Sequence, residues 1–320
     1  MNQPVSKPFP VPVNYFGITL GLFAIGLAWQ HAAILFSDFP AIIGELILSF
    51  SGIVWLLLLT VYIAKWIISP HSAKEELQHL VICCFISLIP ITAMLFGIAL
   101  LHSLKPIAVF LIILGTIGQL LFAAYRSAGL WRGIHQAEAT TPVIYLPTVA
   151  ANFVSATALA ELGYISWAML FFGMGLLSWF TLEPAVLQRL RNLNPLDETV
   201  RPIMGIQLAP AFVAGNTYFH LNGGRVDSVS LALLGYGLLQ LLFLIRLFPW
   251  IYVKGFGIGL WGFSFGLGAM ANVGLYLTQM PDGQGIAELG MILFIVGNIG
   301  IALLFSGTLL RLLQGRFFVK

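Results

Sequence analysis

The stretch LILSFSGIVWLLLLTVYI at residues 46–63 has no charged side chain and is apolar on every face of a helix. At about 1.5 Å of rise per residue it reaches nearly across the roughly 30 Å hydrocarbon core of a bilayer. A soluble helix of that length would need a polar face, and this one has none. Working outward, the same texture returns in LALLGYGLLQLLFLI at 231–245 and in a regular succession of apolar segments, with charge confined to their ends. The pattern predicts ten membrane-spanning helices at about residues 14–36, 40–66, 79–101, 105–131, 143–162, 164–188, 202–220, 226–247, 255–278 and 284–311. Helices of this kind satisfy their own backbone hydrogen bonds, which lipid cannot do for them.

Composition excludes the alternatives. With 59% hydrophobic residues, 8% charged residues and a mean hydropathy of +0.96, the 320-residue chain has too little polar surface to cover a soluble globule. Every connection between spans is short and no low-complexity tract intervenes, so residues 1–320 read as one integral membrane domain. The formal net charge of +3 is scattered over the loops instead of forming a basic stripe, which argues against a nucleic-acid partner.

Loop charge sets the expected orientation. With ten spans, one side carries 13 cations, namely Lys7, Lys65, Lys74, Arg126, Arg132, Arg189, Arg191, Arg201, Arg246, Lys254, Arg311, Arg316 and Lys320, and the other carries 2, Lys105 and Arg225. The cation-rich side is expected to be cytoplasmic, together with both termini. The proline-studded first 13 residues cannot form a signal-peptide core, so the first span is expected to be retained.

Soluble-type chemistry finds no parts. Cys83 and Cys84 are adjacent, a poor geometry for a bridge, and read as small packing residues. The six histidines, at 31, 71, 79, 102, 135 and 220, sit mostly at span ends without ligand spacing. No phosphate loop, CxxC pair or nucleophile elbow occurs, so no cofactor, metal or enzymatic activity is expected.

Odd and even spans differ. The odd ones hold helix breakers and small or weakly polar residues: Gly17 and Gly21 in the first, Pro90 and Gly97 in the third, Pro147 and Asn152 in the fifth, Pro210 and Asn216 in the seventh. The ninth, KGFGIGLWGFSFGLGAMANVG at 254–274, places glycines at 255, 259, 262 and 266, two small-xxx-small pairs, with Ser264 between Gly262 and Gly266. Broken or close-packed helices belong inside a bundle, where protein or water meets the freed backbone groups. The even spans suit an outer ring. Pro90 to Pro147 is 57 residues and Pro147 to Pro210 is 63, the length of a helical hairpin with its loops. Such spacing fits either a repeated hairpin or ordinary kinks. Five hairpins packed with odd helices innermost would enclose a pore, whose lining or kink candidates are Gly17, Gly21, Pro90, Gly97, Pro147, Asn152, Pro210, Asn216, Gly262, Ser264 and Gly266.

At mid-membrane depth the odd spans offer hydroxyls, amides and aromatics but no Lys, Arg, Asp or Glu. A lumen of weak dipoles can pass small anions and discriminate by dehydration cost, whereas a cation pore would show an acidic ring. Glu45, Glu161, Glu183 and Glu288 lie towards span ends and read as interfacial or packing residues.

Seven segments then carry a resemblance. KPFPVPVNYFGITLGL (7–22), SLIPITAMLFG (87–97), GTIGQLLF (115–122), YLPTVAANFVSA (145–156), GIQLAPAFV (205–213), LIRLFPWI (244–251) and GIGLWGFSFGLGAMAN (257–272) recur in order. The chain resembles the bacterial tellurite-resistance and dicarboxylate transporter family, which includes the plant guard-cell slow anion channels. The resemblance implies five hairpins in quasi-fivefold arrangement, a pore inside the odd helices, a homotrimer in the bacterial inner membrane, and a phenylalanine gate. The aromatic-Ser/Thr-Phe pattern that carries the gate matches Phe263, Ser264 and Phe265, which assigns it to Phe265. A slip of two residues would choose Phe263 and turn the ring by about 200°. The expected function is a gated channel for small monovalent anions. The alternative is a secondary transporter of dicarboxylates or an exporter of tellurite-like oxyanions, which would call for a midplane carboxylate site and a proton-coupling residue.

Overall fold

A computed structural model describes residues 9–133, 135–281 and 285–318. Among these the chain is helical throughout. Its long helices are α1 (Phe16–Leu35), α2 (Ala41–Ile68), α4 (Leu88–Leu100), α5 (Lys105–Leu130), α6 (Ala151–Glu161), α7 (Ile165–Asn192), α8 (Ala209–Asn222), α9 (Ser228–Ile251), α10 (Ser264–Leu277) and α11 (Ile286–Leu313), and a short α3 (Pro70–Gln78) follows α2. The odd spans of the sequence are α1, α4, α6, α8 and α10.

These five form a closed ring. α1 packs on α4, α4 on α6, α6 on α8, α8 on α10 and α10 back on α1. Each is also paired with the helix that follows it, giving five hairpins: α1/α2, α4/α5, α6/α7, α8/α9 and α10/α11. Burial separates the two sets, from 56% to 83% of residues over the inner spans that qualify as membrane-crossing against 22% to 33% over the outer ones. The outer helices, 24 to 28 residues long, give roughly 36–42 Å of apolar surface.

Nine helices among the described residues are long and apolar enough to cross a membrane. The remaining expected span, 202–220, coincides with the continuous helical segment Arg201–Asn222. Gln207, Asn216 and His220 dilute its hydropathy. Nearly all of it is enclosed by neighbouring helices, so it has little need to be lipid-like.

Every inner helix has two parts. A tight 3-10 segment comes first (Val13–Tyr15, Ile82–Ser87, Pro142–Ile144, Arg201–Leu208 and Ile258–Phe263), and the α-helix follows. Before α6 a π-helical turn, Leu146–Ala150, is added. The three prolines fall at this junction: Pro90 is third in α4, Pro147 lies in the π turn, and Pro210 is second in α8. In the first turn of a helix the N–H that proline lacks has no intrahelical acceptor anyway, so these residues start the α segments without kinking them.

We call the end where the inner helices begin the proximal face and the end where they finish the distal face. At the proximal face each hairpin is tied by one cation. Arg126 of α5 donates to Leu80 O at 2.7 Å, Arg189 of α7 to Glu138 O at 3.1 Å, and Arg311 of α11 to Phe256 O at 2.6 Å, each acceptor lying just before an inner segment. Lys65 of α2 pairs with Glu76 of α3 at 2.6 Å, beneath the ring of Phe9. In the α8/α9 hairpin the cation sits on the inner segment instead: Arg201 stacks on Trp250 and reaches its carbonyl at 3.5 Å. Cations near helix C-termini also meet the negative end of the dipole. At the distal face Asp227 caps α9, and the backbone N–H of Ser230, followed by the Tyr218 hydroxyl, holds its carboxyl below the usual range.

One close approach needs glycine on both sides. A Cβ at Gly274 of α10 would strike the carbonyl of Gly290 of α11, and one at Gly290 would strike the carbonyl of Gly274.

Candidate functional site

The inner ring encloses two cavities, each lined from all five inner helices. The proximal one measures about 30 Å³ and is bounded by apolar side chains such as Leu20, Leu88, Val149 and Trp261. That is room for about two waters. The distal one measures about 230 Å³ and is far more polar. Two residues, Val213 and Phe265, line both. Phe265 is 6% exposed and Val213 3%, so both are buried where the two cavities meet.

The local sequence holds Phe265 in that position. Ser264 donates its hydroxyl to Gly17 O at 3.1 Å, which pins the start of α10 against α1. A side chain at Gly21 would run into Ser264, and one at Gly266 would meet Leu208 at 2.7 Å. Gly259 and Gly262 lie against Pro202 and Ile206, so the glycines of the ninth span seat its leader on the leader of α8. Gly255 does not join them: it is in a loop with φ of 73° and open space around it.

The residues singled out from the sequence divide by location. Gly17, Pro210, Gly262 and Phe265 line the proximal cavity, and Asn216 and Phe265 the distal one. The others face neighbouring helices. Gly97 packs on Ala108 and Ile112 of α5, and the Pro90 carbonyl lies against Gly115. Asn152 accepts from Gln119 of α5 at 3.2 Å and donates to Thr148 O. Pro147 belongs to the π turn, while Gly21, Ser264 and Gly266 weld α10 to its neighbours. Phe263 points outward, its ring over Gly205 and edge-on to Phe248 at 6.3 Å.

Sequence reasoning missed the distal cavity's polar groups. His31, His102, Glu161 and His220 all line it, with Asn272 and Tyr276. Each comes from the distal end of a different hairpin's inner helix, or just beyond it, apart from Asn272 and Tyr276, which share α10. Glu161 pairs with His220 at 2.6 Å, and His31 Nδ1 lies 2.7 Å from Asn272 Oδ1. The available signal was position: reading the odd spans in parallel puts one ring-bearing or acidic side chain at the same end of each. Glu183, read from the sequence as an interfacial or packing residue, does pack: on α7 it accepts from Tyr145, Trp179, Gln207 and Tyr236 at 2.6 to 2.9 Å, joining the leaders of α6 and α8 to α7 and α9.

Among the described residues no Lys or Arg lines either cavity, and Glu161 is the one carboxylate. Among the described residues no group of His, Cys, Asp and Glu is placed to hold a metal ion. Five hairpins around a central lumen define a polytopic helical membrane protein.

The chain belongs to the SLAC1 family, described as voltage-dependent anion channels, which matches residues 10–309. It is 44% identical to a tellurite resistance protein TehA homolog of Haemophilus influenzae, over 99% of this chain and 95% of that one. Against the guard cell S-type anion channel SLAC1 of Arabidopsis thaliana identity is 22%, over 94% of this chain and 55% of the plant protein. Against the S-type anion channel SLAH4 of the same plant it is 23%, over 93% and 82%. The protein is thus an anion-transport protein of this family and not an enzyme.

Proposed function

We propose that this chain is a gated channel for small monovalent anions in the bacterial inner membrane, closed by Phe265 and, by resemblance, assembled as a homotrimer with both termini cytoplasmic. The observation that carries the reading is that Phe265 bounds both cavities and lies between them. An apolar ring in a narrow lumen blocks ions by occlusion and by excluding water. With no cation where the two cavities meet, an anion is not trapped there, and selectivity follows the cost of shedding water. A carrier for dicarboxylates would be expected to place a fixed cation at mid-depth, and among the described residues no Lys or Arg lines either cavity.

The test is current through planar bilayers containing purified protein under a chloride gradient. Phe265→Ala is expected to raise anion-selective conductance at least tenfold over wild type, as a barrier lowered by about 1.4 kcal/mol would. Equal currents at equal reconstitution would remove Phe265 as the gate. Saturable uptake that follows a proton gradient would replace the channel by a carrier.

A further inference from the structure

The distal cavity has chemistry that a passive apolar conduit does not require. His31 Nδ1 and Asn272 Oδ1 are 2.7 Å apart, and Asn272 Nδ2 donates to Asn216 Oδ1 at 2.5 Å. Because Asn272 Oδ1 is an acceptor, His31 Nδ1 must carry the hydrogen. The Asn216 amide nitrogen then has no acceptor among the described residues, although Asn216 lines the cavity. A polarised chain therefore ends in N–H groups available to an anion. On a neutral His31 ring the second nitrogen is an acceptor, which disfavours an anion. On a protonated ring it is a donor with a full positive charge.

The charges around this chain are few. His31 of α1 shares the cavity with His102 beyond α4, Glu161 of α6, His220 of α8 and Tyr276 of α10. The ring of Tyr276 lies 4.4 Å from that of His31 and 6.4 Å from that of His220. Glu161 Oε1 is 2.6 Å from His220 Nδ1, so its charge is already committed. On the outer helices that touch α1, Glu45 of α2 and Glu288 of α11 are exposed, as are Lys105 at the start of α5 and Asp38 and Arg225 in the neighbouring connections. None of these five lines the cavity.

We propose that the distal vestibule is an anion-binding site, with the Asn216 amide and the His31 ring as its donors, and that a proton taken up by His31 sets its occupancy. The one carboxylate among the described lining residues, Glu161, is already held by His220. A proton on His31 adds one positive charge beside the lumen and concentrates small anions there. This inference rests on the channel reading, and Phe265→Ala supplies the open background in which it is tested.

The experiment lowers the pH on the distal side alone, from about 7.5 to about 5.5, the range in which an unperturbed imidazole changes charge. In Phe265→Ala bilayers the chloride current is expected to rise roughly three- to tenfold, an effect of the size that focused charge gives. Adding His31→Gln should remove the rise, because glutamine keeps a donor to Asn272 but takes up no proton. A rise that survives His31→Gln, or no rise at all in Phe265→Ala, overturns the site. If Phe265→Ala passes no anion current at any pH, the gate reading fails, and the site is then judged by chloride NMR line broadening on otherwise wild-type protein. Broadening stronger at the lower pH and lost in the histidine variant sustains it, and pH-independent broadening rejects it.

Discussion

At residue scale the two phenylalanines flanking Ser264 decide what the ninth span does. Successive side chains on a helix turn by about 100°, so positions 263 and 265 face nearly opposite ways. Only Phe265 reaches the lumen, while Phe263 fills the gap over Gly205, where a β-carbon would collide with its ring. The two are therefore expected to separate cleanly. Phe263→Ala empties a half-buried packing site and should lower stability by about 2–4 kcal/mol, at the lower end of phenylalanine truncations. It should leave the pore as closed as in wild type. Thermal midpoints and bilayer currents recorded on the same preparations check both halves, and a leak through Phe263→Ala comparable to that of Phe265→Ala would exchange their roles. Legibility differed sharply between residues here. Phe265 was accessible only through a resemblance, because 25 phenylalanines occupy this chain and periodicity cannot rank them. Asn152, polar in an inner span, is a lining or kink candidate from sequence alone, and in the structure its amide is met by Gln119 from the outer helix. A buried amide needs a partner, and sequence does not say from which side it will come.

At the scale of elements the alternation of broken and unbroken spans was legible, since a helix enclosed by protein tolerates glycine, proline and amides that a lipid-facing helix does not. What the breakers do was not. Pro90, Pro147 and Pro210 mark where 3-10 or π geometry passes into α-helix, and that depends on how the leaders are anchored. The anchors are polar contacts between distant segments, of which Glu183 is the most heavily used. Four hydrogen bonds converge on its two oxygens from four different elements. Glu183→Ala would leave Tyr145, Trp179, Gln207 and Tyr236 without their acceptor in a half-dry site, at a cost of roughly 3 kcal/mol or more. Glu183→Gln keeps one oxygen and turns an N–H2 group toward donors, so its loss should be smaller but measurable. The check is the thermal midpoint of detergent-solubilised protein, in the order wild type, Gln, Ala. A Glu183→Ala protein as stable as wild type would show that the four groups find water or one another instead.

At the scale of the whole molecule, one set of cations serves two physical demands. The 13-to-2 division of Lys and Arg is a topological signal, but Arg126, Arg189, Arg201 and Arg311 also tie outer to inner segments in four hairpins, and Lys65 of α2 holds Glu76, which accepts from the Val13 N–H at 3.4 Å. The same asymmetry leaves the distal face nearly free of fixed cations, so the histidines there are the groups able to change its charge. Orientation is therefore worth fixing directly, and the chain offers a convenient background: its two cysteines, Cys83 and Cys84, are free and buried. Single cysteines placed at Ser37 or Ser103, exposed in distal connections, should react with a membrane-impermeant maleimide added outside intact cells. A cysteine at Thr199, exposed in a proximal connection beside Asp197 and Arg201, should react only after the membrane is opened. The opposite pattern would place the cation-rich face outside, against the charge rule. It would also turn the histidine vestibule toward the cytoplasm, where pH is held near neutral and a proton-set anion site would have little range over which to act.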